Sequence, residues 1–282
     1  MKLVTFTDTQ GTRVGAVTDA GIVDLTSAGL PATMIELFSL DDANVHAEKA
    51  VGAAKKVVPV AYARLEAPVP NPKNVLAIGL NYKDHASEAN QPIPQRPIVF
   101  TKGPNSITGP GAPILFPRHS RAVDWEAELC FMIGRRARYV KATDAEKYIA
   151  GYMCGNDVSV RDWQFHSPTW MMGKSFDSHG PIGPWLVTPD EVDVGHLGIR
   201  LFLNGEQKQS SNTDQLIFDV GAILEYVSTG VTLEPGDVVF TGTPAGVGGT
   251  MRPPQFMKPG DVVRVEIDGL GSLENTVVED GG

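Results

Sequence analysis

The segment Asp124-Trp125-Glu126-Ala127-Glu128-Leu129-Cys130-Phe131-Met132-Ile133 opens with carboxylates and runs into unbroken apolar residues. Side chains alternate faces along a strand. Asp124, Glu126 and Glu128 would share one face, with Trp125, Ala127 and Leu129 on the other. Alone, such a pattern describes the solvated side of an edge strand. The run Leu129–Ile133 argues otherwise, because it carries the strand, predicted over Glu126–Ile133, into a core. Buried carboxylates need a counter-charge, and a metal ion supplies one. Oxygen ligands select Mg²⁺ or Mn²⁺, with Ca²⁺ admissible, over Zn²⁺, which prefers Cys and His.

Around this segment the chain reads as mainly β. Val75–Ile78, Ile98–Thr101, Arg200–Leu203, Val238–Thr241 and Val262–Ile267 are rich in β-branched or aromatic residues and are predicted strands. Asn204-Gly205 marks a hairpin turn. One helix is predicted from the capping pair Asn212-Thr213 to just before Gly230. Its apolar stripe is Leu216, Val220, Ile223, Leu224 and Val227. Upstream, Leu3–Phe6, Val14–Val17 and Ile22–Leu25 suggest three strands, with a helix within Asp41–Val58. Ala67-Pro68-Val69-Pro70-Asn71-Pro72-Lys73 excludes helix and reads as an extended linker. It divides the chain into a small β-rich N-terminal domain, residues 1–67, and a larger domain, residues 68–282. The class is α+β, mainly β.

Composition narrows the function. A net charge of -9 argues against nucleic acid, whose binding rests on basic surface. The short run Arg135-Arg136-Ala137-Arg138 reads as a solvated turn. Met1–Asp8 meets polar residues too soon for a secretory signal, and no window reaches the ~18 apolar residues of a membrane span. Cys130 and Cys154 lack CxxC spacing and are expected to be reduced, buried thiols. A cytoplasmic location is the resulting expectation.

Four further stretches bear on chemistry. In Asn81-Tyr82-Lys83-Asp84-His85-Ala86-Ser87-Glu88, His85 and Glu88 are i, i+3 neighbours on a helix. A carboxylate beside an imidazole fixes its tautomer and suits a general base, although surface pairs of this kind are common. In Gly155-Asn156-Asp157-Val158-Ser159-Val160-Arg161-Asp162-Trp163-Gln164, Asp157 could complete a metal triad, with Arg161 and Gln164 following on one face. Gly173-Lys174-Ser175-Phe176-Asp177 places a lysine in a loop, where most lysines are merely exposed. Thr241-Gly242-Thr243-Pro244-Ala245-Gly246-Val247-Gly248-Gly249 follows a strand but lacks a P-loop's GK[ST] and a following helix. A backbone loop approaching a small anion, or a plain turn, remains.

Together and in this order, the motifs G-x-N-Y-x-x-H-x-x-E, D-x-E-x-E-L, N-D-x-S-x-R-D-x-Q, G-K-S-F-D and T-G-T-P-x-G-V-G resemble the fumarylacetoacetate hydrolase family, across roughly Pro70 to Glu279. The segment through about Ala67 resembles the small leading domain of many members. The resemblance implies a mixed β-sandwich roll and a homodimer. It implies metal ligands at Glu126, Glu128 and Asp157, and a lid helix carrying His85 and Glu88 as catalytic groups with Lys174. It puts Gln164, Arg161, Tyr82, Lys102, Gly242 and Thr243 against the substrate. Two departures bear on specificity: Leu80, where many members carry Arg, and His179, where many carry an aromatic residue.

The implied chemistry starts from a 2-oxo or 2,4-dioxo acid held through its carboxylate and 2-oxo oxygens. In an acylpyruvate-type hydrolase, His85 with Glu88 activates water for attack on the distal carbonyl, and pyruvate enolate leaves. A 2-oxo acid decarboxylase or isomerase uses the same metal and enolate without attacking water. A non-catalytic ligand-binding protein is the reading from another class. The presence of both His85 and Glu88 ranks the hydrolase first, and that of Lys174 and His85 ranks this last.

Overall fold

A computed structural model describes residues 1–281. The N-terminal strands are β1 (Lys2–Asp8), β2 (Gly11–Thr18), β3 (Gly21–Asp24) and β4 (Arg64–Leu65), around helices α1 (Met34–Phe38) and α2 (Ala43–Ala53). Then follow β5 (Val75–Gly79), helix α3 (Lys83–Glu88), β6 (Ile98–Lys102), β7 (Ile107–Thr108), β8 (Ile114–Phe116), β9 (Val123–Asp124) and β10 (Ala127–Ile133). After β11 (Ile149–Asn156) and β12 (Ser159–Val160) come the one-turn helices α4 (Arg161–Gln164) and α5 (Met171–Lys174). The chain closes with β13 (Gly180–Val187), β14 (Gly198–Leu203), β15 (Glu206–Asn212), α6 (Val220–Gly230), β16 (Val238–Phe240), β17 (Val262–Ile267) and β18 (Gly271–Glu279).

An 11-stranded sheet runs β3-β2-β1-β13-β11-β10-β16-β5-β6, with β4 and β7 off that path. A 5-stranded sheet, β15-β14-β17-β18-β8, lies against it. The small pair β9 and β12 stands apart. Leu129, Phe131 and Ile133 of β10 join Ile199, Leu201, Val263, Val265 and Val277 in one core between the sheets. Cys130 and Met132 point the other way, into a second core with Leu3, Val14, Ala16 and Leu37. Burial on both faces is why β10 reads as a continuous apolar run rather than an alternation. In β14 and β17 every second residue is buried, as one solvated face requires. The fold is therefore mainly β with layered mixed sheets, as expected.

The N-terminal strands extend the large sheet edge to edge, since β1 pairs antiparallel with β13 through Lys2↔Val187 and Leu3↔Leu186. Asn204 and Gly205 both have positive φ, 53° and 82°, as a type I′ hairpin needs. Two predicted elements shift. The strand begins at Ala127, so Glu126 lies before it and Asp124 belongs to β9. The long helix begins at Val220, capped by Asp219 Oδ1, which accepts from Ala222 N at 2.7 Å. Asn212 caps only a single 3₁₀ turn, Thr213–Gln215. An Asx cap starts a turn, but Leu216 leaves it extended, and the helix waits for the next cap.

Candidate active site

The site forms where β10 begins beside the end of β11. Asn156 Oδ1 accepts from Glu126 N at 3.0 Å, and Asp157 N donates to Glu126 O at 2.9 Å. This tie brings Glu126, Glu128 and Asp157 to one place, with an oxygen from each within 4.8 Å of the others. All three are buried.

The structure supplies counter-charges that the sequence did not reveal. Lys174 Nζ donates to Glu126 Oε2 and Asp157 Oδ2, both at 2.6 Å. Lys102 Nζ donates to Asp157 Oδ1 at 2.6 Å, to His179 O at 3.0 Å and to Lys174 O. Arg161 Nη2 lies 2.7 Å from Asp124 and 2.8 Å from Glu126. Four buried carboxylates thus face three cations. Glu128 is the one without a cation. Its Oε2 accepts only from Gly242 N, at 2.6 Å.

The titrations follow from this arrangement. Burial pushes Glu126 up, but Lys174 and Arg161 overcome it and bring it to about 2. Burial, then the charges of Asp157 and Glu126, drive Glu128 well above the ordinary carboxylate range. A divalent cation among the three oxygens would relieve that repulsion, and hard carboxylate donors suit Mg²⁺, Mn²⁺ or Ca²⁺. The donor set therefore fits such an ion.

Asp124 stands outside this group. It accepts from Gly248 N, Gly249 N and Trp125 N, each at 2.8 Å, and from Arg161 Nε at 2.8 Å. Its place is to join the glycine-rich loop to Arg161, not to share a face of open carboxylates.

On helix α3, His85 Nδ1 lies 3.2 Å from Glu88 Oε2. Glu88 Oε1 accepts from Gly246 N at 3.0 Å. Burial disfavours its charge, yet the hydrogen bonds from His85 and Gly246 prevail and hold Glu88 below its ordinary pKa. Asp84 accepts from Ala245 N at 3.4 Å and from Ser211 Oγ, so α3 is docked onto the loop after β16.

A cavity of about 480 Å³ joins these parts. His85, Glu126, Glu128, Asp157, Arg161, Gln164, Lys174 and Thr243 line it, with Leu80, Ile98, Phe100, Phe165, Trp170 and Phe256. Three residues expected against substrate are elsewhere. Tyr82 is fully buried in the core between the sheets. Lys102 is buried behind Asp157 with its ammonium saturated. Gly242 faces Glu128, and its φ of +104° and the 2.7 Å approach to Asn81 Cβ that a side chain would make reserve the position for glycine. His179 is buried too, and its carbonyl holds Lys102.

Two contributors were not recognised in the sequence. Gln209 on β15 accepts from Ala127 N at 2.9 Å and donates to Thr243 Oγ1 and Pro244 O, both at 2.9 Å. Asn81 donates to Thr241 O at 2.7 Å and exchanges hydrogen bonds with the Phe218 backbone. Gln209 sits in a polar strand with nothing to mark it. Asn81 lies in a quoted motif, but its partners are far away in the chain.

The sequence pattern described as fumarylacetoacetate (FAA) hydrolase C-terminal matches residues 74–278. The chain belongs to the fumarylacetoacetate hydrolase family. It is 43% identical over 288 residues to the mitochondrial oxaloacetate tautomerase fahd2 of Xenopus laevis, covering 99% of this chain and 90% of that one. The mitochondrial oxaloacetate tautomerase FAHD2A of Bos taurus is 44% identical over 264 residues, covering 92% and 84%. A 2-hydroxyhepta-2,4-diene-1,7-dioate isomerase from Mycobacterium marinum superposes with a TM-score of 0.79 at 35% identity, covering 100% of both chains. The family's enzymes are generally divalent-metal dependent, in keeping with the carboxylate triad. The cytoplasmic expectation is overturned, since the frog and cattle relatives are mitochondrial by name. That expectation rested on features that bear on secretion and membrane insertion and on two cysteines read as reduced thiols, none of which separates one intracellular compartment from another. No helix among the described residues is long and apolar enough to cross a membrane.

Proposed function

We propose that this protein is a divalent-metal-dependent enzyme that interconverts the keto and enol forms of a 2-oxo acid, with Mg²⁺ or Mn²⁺ at Glu126, Glu128 and Asp157. The observation that carries the reading is His85, paired with Glu88, lining the same cavity as the carboxylate triad. The names of the relatives, tautomerase and isomerase, favour proton transfer over the C–C hydrolysis ranked first from the sequence.

When bound, the cation supplies a Lewis acid for negative charge developing on the 2-oxo group. The chain does the rest. His85 carries the proton between C3, adjacent to the 2-oxo carbon, and the 2-oxo oxygen, which bears it in the enol. Glu88 accepts a hydrogen bond from Nδ1–H and leaves Nε2 for the transfer. Gly246 N–H keeps Glu88 ionised and in place. Lys174 adds positive charge at the carboxylate head of the substrate. A homodimer belongs to the same reading, and light scattering at micromolar concentration tests it.

The test follows the ultraviolet decay of enol forms, oxaloacetate and phenylpyruvate among them, with pyruvate assayed in parallel. The expected result is loss of enol faster than in buffer, abolished by EDTA and restored by Mg²⁺ or Mn²⁺. Enol decay at the buffer rate, with 2,4-dioxo acids cleaved to pyruvate, would make hydrolysis the function instead.

A further inference from the structure

Gln209 is the one buried residue of β15. A slip in register turns it inward. β14 pairs Phe202 with Gln207 and Leu201 with Gln209, so Lys208 faces no partner. Residues directly opposite share a face, and Leu201 is buried. Regular pairing would set Lys208 against Leu201, and the slip puts an amide there in place of an ammonium. Gly246 makes room for it, since a Cβ there would meet Lys208 O at 2.2 Å.

The amide is held in one orientation. Ala127 N can only donate and Pro244 O can only accept, so Oε1 faces the first and Nε2 the second, both at 2.9 Å. The other hydrogen of Nε2 goes to Thr243 Oγ1, also at 2.9 Å. That oxygen is therefore an acceptor, and the hydroxyl proton needs an acceptor of its own. Among the described residues none takes it. Thr243 is buried and lines the cavity with Glu126, Glu128, Asp157 and Lys174. Buried donors are nearly always partnered. An acceptor oxygen brought into the cavity completes this one.

We propose that Gln209 is a positioning residue: by filling the acceptor side of Thr243 Oγ1 it commits that hydroxyl to donate to an anionic oxygen of the bound 2-oxo acid. Gln209 touches no substrate and acts through Thr243. Because the same amide holds Ala127 N, between Glu126 and Glu128, it also ties the donor to the carboxylate triad. This deepens the tautomerase reading and rests on its 2-oxo acid head group.

Titration calorimetry of the Mg²⁺-loaded protein with pyruvate, in a double-mutant cycle, tests it. Thr243→Val should weaken pyruvate ~10-fold or more, the loss of one hydrogen bond to a charged group. Thr243→Ser keeps the hydroxyl and should bind within ~3-fold of wild type. Gln209→Glu keeps an acceptor for Ala127 N, but its carboxyl carries one proton at most. Pro244 O can only accept and claims that proton, so Thr243 turns to donate to the carboxyl, and pyruvate should again weaken ~10-fold. In the Thr243→Val background Gln209→Glu should cost less than ~2-fold more, an effect that a merely structural role of Gln209 would not produce. Gln209→Met, which removes the donor without adding a charge, reads the same coupling should the glutamate prevent folding. Wild-type affinity in Thr243→Val, additive losses in the double variant, or no binding of pyruvate by the wild-type protein each overturns the proposal. The expected coupling with enol decay at the buffer rate would sink the tautomerase reading and leave the role of Gln209 standing.

Discussion

Glu128→Gln should separate the metal from the fold. Glu128 is buried, accepts one hydrogen bond from Gly242 N and has no cation beside it, while Glu126 and Asp157 repel it. The variant keeps an acceptor for Gly242 and removes the repelling charge. In metal-free buffer at pH 7.5 it should therefore be more stable than wild type, by about 1–2 kcal/mol. For a chain of 282 residues about 1 kcal/mol moves Tm by about 2 °C, so the gain is about 2–4 °C. Mg²⁺ at 100 times its dissociation constant should stabilise the wild type by about 2.7 kcal/mol, or about 5 °C. The variant should lose most of that response. Glu126→Gln should behave oppositely without metal, because it takes a partner from both Lys174 and Arg161. The pH dependence has a definite sign. The folded state holds the Glu128 proton to higher pH than the unfolded chain does. Metal-free stability therefore falls as pH rises above the ordinary value of 4.5, and Glu128→Gln flattens that fall. Differential scanning fluorimetry with and without Mg²⁺ reads all of this. A metal-free Glu128→Gln protein less stable than wild type, or one with the full Mg²⁺ response, would refute the reasoning.

His85→Ala should lower kcat for enol decay by ~10²–10⁴ and leave Mg²⁺ affinity by calorimetry unchanged, since the imidazole of His85 bonds Glu88 and none of the carboxylate triad. Turnover at the wild-type rate would remove His85 from the proton transfer. His179 is buried, and loss of water brings its pKa down from 6.5 to about 4. The unfolded chain takes up that proton first, so stability should drop by up to about 3 kcal/mol as pH falls from 6.5 toward 4. Urea unfolding of His179→Gln, whose amide can still donate to Leu115 O, should show a shallower drop. An unchanged pH profile would count against it.

Local chemistry made much of this protein legible in its sequence. The apolar run Leu129–Ile133 marked a strand running into a core, Asn204-Gly205 a hairpin, and His85 and Glu88 a helical pair, because each depends on neighbours within a few residues. Strands β11 and β13 were not legible, since glycines and prolines in them argue against strand. Gly155 is nonetheless needed there, because a Cβ would meet Cys130 Sγ at 2.3 Å across the sheet. Alternation put Glu126 and Glu128 on one face with Asp124, and the resemblance to the family singled out Glu126, Glu128 and Asp157, but register set which carboxylate stands apart. The pairing of β10 with β11 leaves Glu128 without a cation, while Lys174, 48 residues from Glu126 in the chain, reaches its neighbours. Asp124 shares the alternation of Glu126 and Glu128, and only the approach of Arg161 and the Gly248–Gly249 amides takes it out of the metal group. Gln209, Asn81 and Lys102 act through partners 34 to 160 residues distant. Their roles could emerge only once packing had brought those partners within hydrogen-bonding reach, an event to which pattern along the chain is blind.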